Sequence, residues 1–182
     1  MISESSIENL KENLARIIIE SNAYNSETNY VKIDKLWEDP IKLSESAIAI
    51  KMLLERIYPT KDYKLLVADK EIGEYGLIPI VCLLSEKMLI PIIIWKENAV
   101  PLTGESCFFG NYDRKNDNLL ILHDVMVAGG TVKSMLEDIE DENRVKAIFS
   151  LVDKNDKEIR ESFGDIRYDY AVGIFKLKQM KG

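Results

Sequence analysis

Apolar residues recur at Ile7, Leu10, Leu14, Ile17 and Ile18, the spacing of one helical face, and Ser5 with Glu8 three residues on has the spacing of a capping box. A helix is therefore expected to begin near Ser6. Residues 21–28 are polar and turn-like, and Tyr30, Val31 and Ile33 then predict a short strand ending at Asp34. A second helical stripe, Ile41, Ile48, Met52, Leu53 and Ile57, is expected to stop near Tyr58, because Pro59 disfavours helical geometry in the residue before it. Beyond Pro59, compact apolar runs alternate with longer segments: strands are predicted over 63–68, 90–95, 118–123, 145–152 and 170–175, with helices over 78–87 and 131–139. The runs are continuous rather than alternating, which predicts parallel strands covered on both faces. Residues 97–109 contain Pro101 and Gly104 and little periodicity, and read as a mobile loop or a hairpin over the sheet.

A length of 182 residues fits one domain, and 46% hydrophobic with 30% charged residues is the composition of a packed core. The formal charge of -7 removes the usual electrostatic footprint for nucleic acid. Cys82 and Cys107 are far apart with no C-x-x-C pair, so they read as free thiols. The polar amino terminus and the shortness of the apolar runs at 77–84 and 88–95 predict a soluble, cytoplasmic chain without a membrane span. His123 is the single histidine, which excludes any multi-histidine metal site built from one chain.

The candidate chemistry lies in Leu119-Leu120-Ile121-Leu122-His123-Asp124-Val125-Met126-Val127-Ala128-Gly129-Gly130-Thr131, an apolar strand running through a glycine loop into a helix. Unpaired N–H groups and the helix dipole favour an anion at such a junction, and glycines let the backbone approach a phosphate closely. Asp124, expected at the strand's carboxyl end, can hold a sugar hydroxyl or a magnesium ion. Gly-Gly before a helix is also ordinary loop chemistry. The segment lacks the lysine of a Walker A loop and the spacing of a dinucleotide fingerprint.

With strand, acid, glycine loop and helix in this order, the segment resembles the ribose-phosphate motif of type I phosphoribosyltransferases, most closely the orotate phosphoribosyltransferases. Asp124, Ala128, Gly129 and Thr131 match that motif, while His123 stands in place of its first acid and Val127 in place of its usual threonine. The resemblance extends to Ala15–Ser21, to Tyr30–Asp34, and to Ile90–Lys96, where Trp95 occupies an arginine position and Lys96 is retained. Asp153-Lys154 resembles the Asp-Arg pair that contacts the base, with charge kept but the bidentate fork lost.

The resemblance implies an α/β fold, a mainly parallel sheet flanked by helices, with an N-terminal hood over residues 1–58 and a core over 59–182. It implies a catalytic Asp124, a ribose-phosphate site of His123, Asp124, Val125, Met126, Val127, Ala128, Gly129, Gly130, Thr131 and Lys96, and a base contact at Lys154. The implied activity is transfer of 5-phosphoribosyl from phosphoribosyl diphosphate (PRPP) to a nitrogen base, orotate first, as in pyrimidine biosynthesis, with Mg2+ and a homodimer. No metal ligand is directly assigned.

Several departures weaken that machinery. Residues 69–76, in the place of the family's pyrophosphate loop, carry three acids against one lysine, a balance that repels pyrophosphate or simply forms a solvated acidic turn. Thr103-Gly104 stands where the family's mobile loop has His-Gly, and the loop's lysine has no counterpart. These departures favour the alternative of a catalytically impaired protein that binds a nucleotide or ribose phosphate for regulation. A DNA-binding regulator of the same fold is disfavoured by the charge.

Overall fold

The computed structural model describes residues 4–69, 76–96, 107–154 and 163–182. Its chain opens with helix α1 (Glu4–Glu20), starting slightly before the expected capping serine, and a small antiparallel pair, β1 (Tyr24–Asn25) and β2 (Tyr30–Val31). The expected strand 30–34 is thus only half a strand. Ile33 and Asp34 belong to a 3-10 turn, Ile33–Trp37, which buries Ile33 and Leu36. The stretch read as a plain turn supplies the partner strand β1, whose two residues are too few for periodicity to register.

Helix α2 (Pro40–Ile57) begins with proline at its first turn, and the Asp39 carboxylate accepts the N–H groups of Ile41 at 2.8 Å and Lys42 at 3.3 Å. It ends before Pro59, as expected. The core alternates β3 (Lys64–Asp69), α3 (Ile78–Met88), β4 (Ile92–Lys96), β5 (Phe108–Phe109), β6 (Leu119–Met126), α4 (Gly130–Asp138), β7 (Val145–Asp153), β8 (Tyr168–Gly173) and α5 (Ile174–Lys181). The last strand predicted over 170–175 is corrected at both ends. It starts at Tyr168, and Ile174 and Phe175 turn into α5, whose Ile174 and Leu177 are buried at the i, i+3 spacing of a helix.

The six-stranded sheet has the order β5-β4-β3-β6-β7-β8, with every pair parallel except β4 and β5. Leu65 and Val67 of β3 and Leu120 and Leu122 of β6 face the core built from α1, α2, α3 and α5. Leu66, Ala68, Leu119 and Ile121 face the other core, with Val132, Met135 and Leu136 of α4. Coverage on both faces explains the unbroken apolar runs. The antiparallel β5 makes the carboxyl end of segment 97–109 the far arm of a hairpin, while residues 97–106 lie outside the described residues.

Candidate active site

From β3 the chain crosses through α3 to β4 on one side; from β6 it crosses through α4 to β7 on the other. The neighbouring strands β3 and β6 therefore send their carboxyl ends into loops that diverge, the place where open α/β sheets bind ligands. A cavity of about 180 Å³ lies there, lined on the sheet side by Asp124, Val125, Val127 and Lys154, and on the hood side by Tyr30, Lys32 and Asp34. The hood thus roofs the strand ends.

Asp124 is not the last residue of its strand, since β6 runs on to Met126. Its Oδ1 accepts the N–H of Val125 at 2.7 Å and lies 3.3 Å from His123 Nδ1. Both side chains are largely buried, at 12% and 8% exposed. The carboxylate is held by the Val125 N–H, lies beside the imidazole and lines the cavity. His123 borders a second, very small crevice with Ala68, Gly76 and Leu77, tucked between the ends of β3 and β6.

From Val127 of this cleft the chain runs through the glycine loop into α4. Gly129 caps α4 at φ +72°, left-handed geometry that favours glycine, and a Cβ there would stand 2.8 Å from Phe163 Cζ. Gly130, the first helical residue, is exposed, and a Cβ there would meet nothing within 4 Å. The first N–H groups of a helix have no intrahelical acceptors, so the open space beside Gly130 is suited to an anion. Val127 is 52% exposed and presents methyl groups to the cleft where the family pattern has a hydroxyl donor.

Among the described residues, the charges lining the cleft balance, Lys32 and Lys154 against Asp34 and Asp124. Lys32 Nζ pairs with Asp34 Oδ2 at 3.2 Å, a contact that holds the Lys32 amine above its ordinary pKa. The Lys154 ammonium sits 5.4 Å from the centre of the Tyr30 ring, and the Lys154 N–H donates to the Met126 carbonyl at 2.9 Å, tying β7's end to β6's.

Asp124, Val125, Val127 and Lys154 thus meet in one cleft, with Ala128, Gly130 and Thr131 beside it along the loop and the opening of α4. The Met126 side chain is fully buried in the core on the α4 side, so this position offers the cleft only its backbone. Lys96, exposed at the end of β4 and in register with Asp69, does not line the cleft. The acidic stretch 69–76 lies mostly outside the described residues, as does Thr103-Gly104. Tyr30, Lys32 and Asp34 were not singled out as site residues by sequence, because a short hood segment carries no spacing rule. The signal available was the resemblance itself, which already reached Tyr30–Asp34.

Among the described residues no group of three His, Cys, Asp or Glu side chains is placed to hold a metal. Among the described residues, Asp124 and Asp34 are the carboxylates lining the cleft. That donor set suits a magnesium ion delivered on a ligand's phosphates, which needs one or two carboxylates and keeps several waters, rather than a cage made by the protein.

The chain has the type I phosphoribosyltransferase fold. It superposes on an orotate phosphoribosyltransferase from Aeropyrum pernix with a TM-score of 0.68 at 16% identity, covering 93% of this chain and 98% of that one. A phosphoribosyltransferase from Corynebacterium diphtheriae matches with a TM-score of 0.66 at 16% identity, over 93% and 98% of the two chains. UMP synthase from Leishmania donovani matches at 0.66 and 18% identity over 91% of this chain, which spans only 37% of that protein. No protein-family model and no curated protein matches the sequence. At these identities the likeness establishes the fold, and activity rests on the chemistry of the cleft.

Proposed function

We propose that this protein binds a 5-phosphoribosyl group at the β6–α4 junction and transfers it from PRPP to a nitrogen base, with orotate as the base that fits. The observation that carries the reading is that Asp124 and Val127 line a cleft at the end of β6 and that the chain passes directly from them into the glycine start of α4. In this account the N–H groups of residues 127–131 take the 5-phosphate. Asp124 accepts the ribose hydroxyls and offers negative charge to the oxocarbenium-like sugar as the C1′–O bond to diphosphate breaks. The base nitrogen forms the new bond to C1′ and releases its proton to solvent. Lys154 meets an anionic substituent of the base, while the hood excludes water. Magnesium, carried on the diphosphate, would neutralise the leaving group. A homodimer and a cytoplasmic setting belong to the same proposal.

A second reading, a ribose-phosphate-binding protein with impaired turnover, is favoured by two particular features. Val127 supplies no hydroxyl donor, a loss worth roughly 1.5 to 3 kcal/mol when the acceptor is charged. Trp95, in the arginine position, is buried in the core away from the cleft. Calorimetric titration with PRPP and magnesium, followed by product analysis with a panel of bases, separates the two. Binding with slow formation of orotidine monophosphate supports transfer, binding without any product supports the second reading, and no binding at millimolar PRPP removes both.

A further inference from the structure

Helix α2 buries Ser46, Ala47, Ala49, Ile50, Leu53 and Leu54, the apolar face that joins it to the body of the protein. Its outer face is apolar as well. Ile41, Ile48 and Met52 are 67%, 45% and 37% exposed, and their spacing of seven and then four residues sets them within about 40° of one another around the helix. A surface helix ordinarily turns charge to water, so large apolar residues aligned on its outer side mark a contact surface.

Helix α1 widens this face. Lys42 in the first turn of α2 reaches Glu20 at the end of α1, so the two helices run antiparallel. The groove of about 330 Å³ between them is lined by Leu10 and Arg16 on one side and by Glu45, Ile48 and Met52 on the other. Helices of this length are about 26 Å long and about 10 Å wide, so the pair presents about 520 Å² in projection. Side-chain relief brings that close to the roughly 600 Å² per partner at the lower end of specific interfaces.

The charges choose the occupant. Among the described residues lining the groove, Arg16 and Lys42 offset Glu20 and Glu45, so this face is neutral although the chain carries -7. A second copy is not repelled there, whereas a helix lying on anionic lipid carries an excess of Lys and Arg on its polar side. A two-fold pairing centred on the stripe sets Ile41 against the partner's Met52, keeps Ile48 near the axis and brings Arg16 beside the partner's Glu45, each contact made twice.

We propose that the outer face of α1 and α2 is an interface between two copies of this chain, with Ile41, Ile48 and Met52 as its apolar centre and Arg16 with the partner's Glu45 as its flanking ion pair. This deepens the homodimer proposed above by naming its surface, and it is independent of the transfer chemistry, because the cleft is lined by other residues.

The test is sedimentation equilibrium of the full chain over about 1 to 300 μM, the range of affinities expected of a small interface. The parent is expected to dimerise, and Ile48→Glu to dimerise at least about tenfold more weakly, since a carboxylate then enters the apolar centre. Arg16→Glu and Glu45→Arg should each weaken the dimer several-fold by setting like charges together, and the double reversal should restore it to within about twofold of the parent. These positions are exposed and their ion pairs within the chain are weak, so thermal midpoints of the monomers should stay close together. If Ile48→Glu fails to fold, the charge-reversal series still decides. A parent that is monomeric throughout, a dimer indifferent to Ile48→Glu, or a double reversal no tighter than the single ones overturns the proposal. A monomer that instead sediments with vesicles of phosphatidylcholine and phosphatidylserine assigns the stripe to a lipid surface and overturns it too. Failure of ribose 5-phosphate to bind to a parent that dimerises in this way would remove the transferase reading and leave this one standing.

Discussion

The indole N–H of Trp95 donates to Asp138 Oδ2 across 2.7 Å, pinning the carboxyl end of β4 to the last turn of α4. Trp95 is 1% exposed and packs with Phe108 and Met135 in the core on the α4 side of the sheet. The residue that stands where the family pattern has an arginine is therefore part of the scaffold. Its chemistry has been moved away from ligand.

Trp95→Phe is expected to lower stability by about 1.5 to 3 kcal/mol, the worth of a hydrogen bond to a charged acceptor. Trp95→Arg is expected to cost more, because a guanidinium enters an apolar core, and to give no gain in PRPP affinity. Urea unfolding of both variants, with ligand titration of whichever folds, checks this. Tighter PRPP binding by Trp95→Arg would show that the position does reach the ligand.

The two loop glycines should respond oppositely. Gly129→Ala forces an L-residue to φ +72° with its Cβ against the Phe163 ring, and a loss of about 1 to 2 kcal/mol is expected from the backbone alone. Gly130→Ala meets nothing and sits in a helix, so stability should hold or rise by up to about 1 kcal/mol. Its methyl group nevertheless fills the space assigned to the anion. Thermal unfolding together with phosphate titration should show Gly130→Ala folded and weakly binding.

Val127 is half exposed, so Val127→Thr should leave the melting temperature unchanged. If the hydroxyl meets a phosphate, ribose 5-phosphate affinity should rise about tenfold or more. Unaltered affinity in calorimetry would mean that the side chain at this position does not face the phosphate.

Alkaline pH should unfold the protein through its buried tyrosines. Burial pushes the Tyr63 hydroxyl up to about 12 from an ordinary 10, and raises Tyr58 and Tyr168 still further. A raised folded-state pKa gives stability that is whole below pH 10 and is lost as pH climbs through 12. The Tyr63 hydroxyl is also buried without a hydrogen-bond partner. Tyr63→Phe should therefore be neutral or mildly stabilising at pH 7 and less sensitive between pH 10 and 12, as read by denaturant midpoints across that range.

The sheet was legible because its strands are buried on both faces, so runs such as Leu119–Leu122 mark themselves without any need for register. The helix ends were legible where chemistry punctuates them, as at Pro59. By contrast β1 and β2 have two residues each, and α5 follows directly on Gly173, the last residue of β8, so Ile174 and Phe175 continue the apolar pattern of the strand although they open the helix. In the site, Asp124 and the glycine loop are contiguous and could be seen in the sequence. The facing wall of Tyr30, Lys32 and Asp34 lies about 90 residues away in the chain and meets them only through the fold. The Trp95–Asp138 contact is equally non-local, and its direction into the core could not be read from a substitution at one position.

The central claim, that Asp124 and the β6–α4 loop together bind a ribose phosphate, is tested most directly by calorimetric titration of PRPP with magnesium into the parent and into Asp124→Asn. Millimolar affinity corresponds to about -4 kcal/mol, a floor that several backbone N–H groups and one carboxylate should exceed. The account predicts saturable binding by the parent, at least tenfold weaker binding by Asp124→Asn, and equal melting temperatures. Identical binding by the two proteins, or none by the parent up to millimolar PRPP, would contradict it.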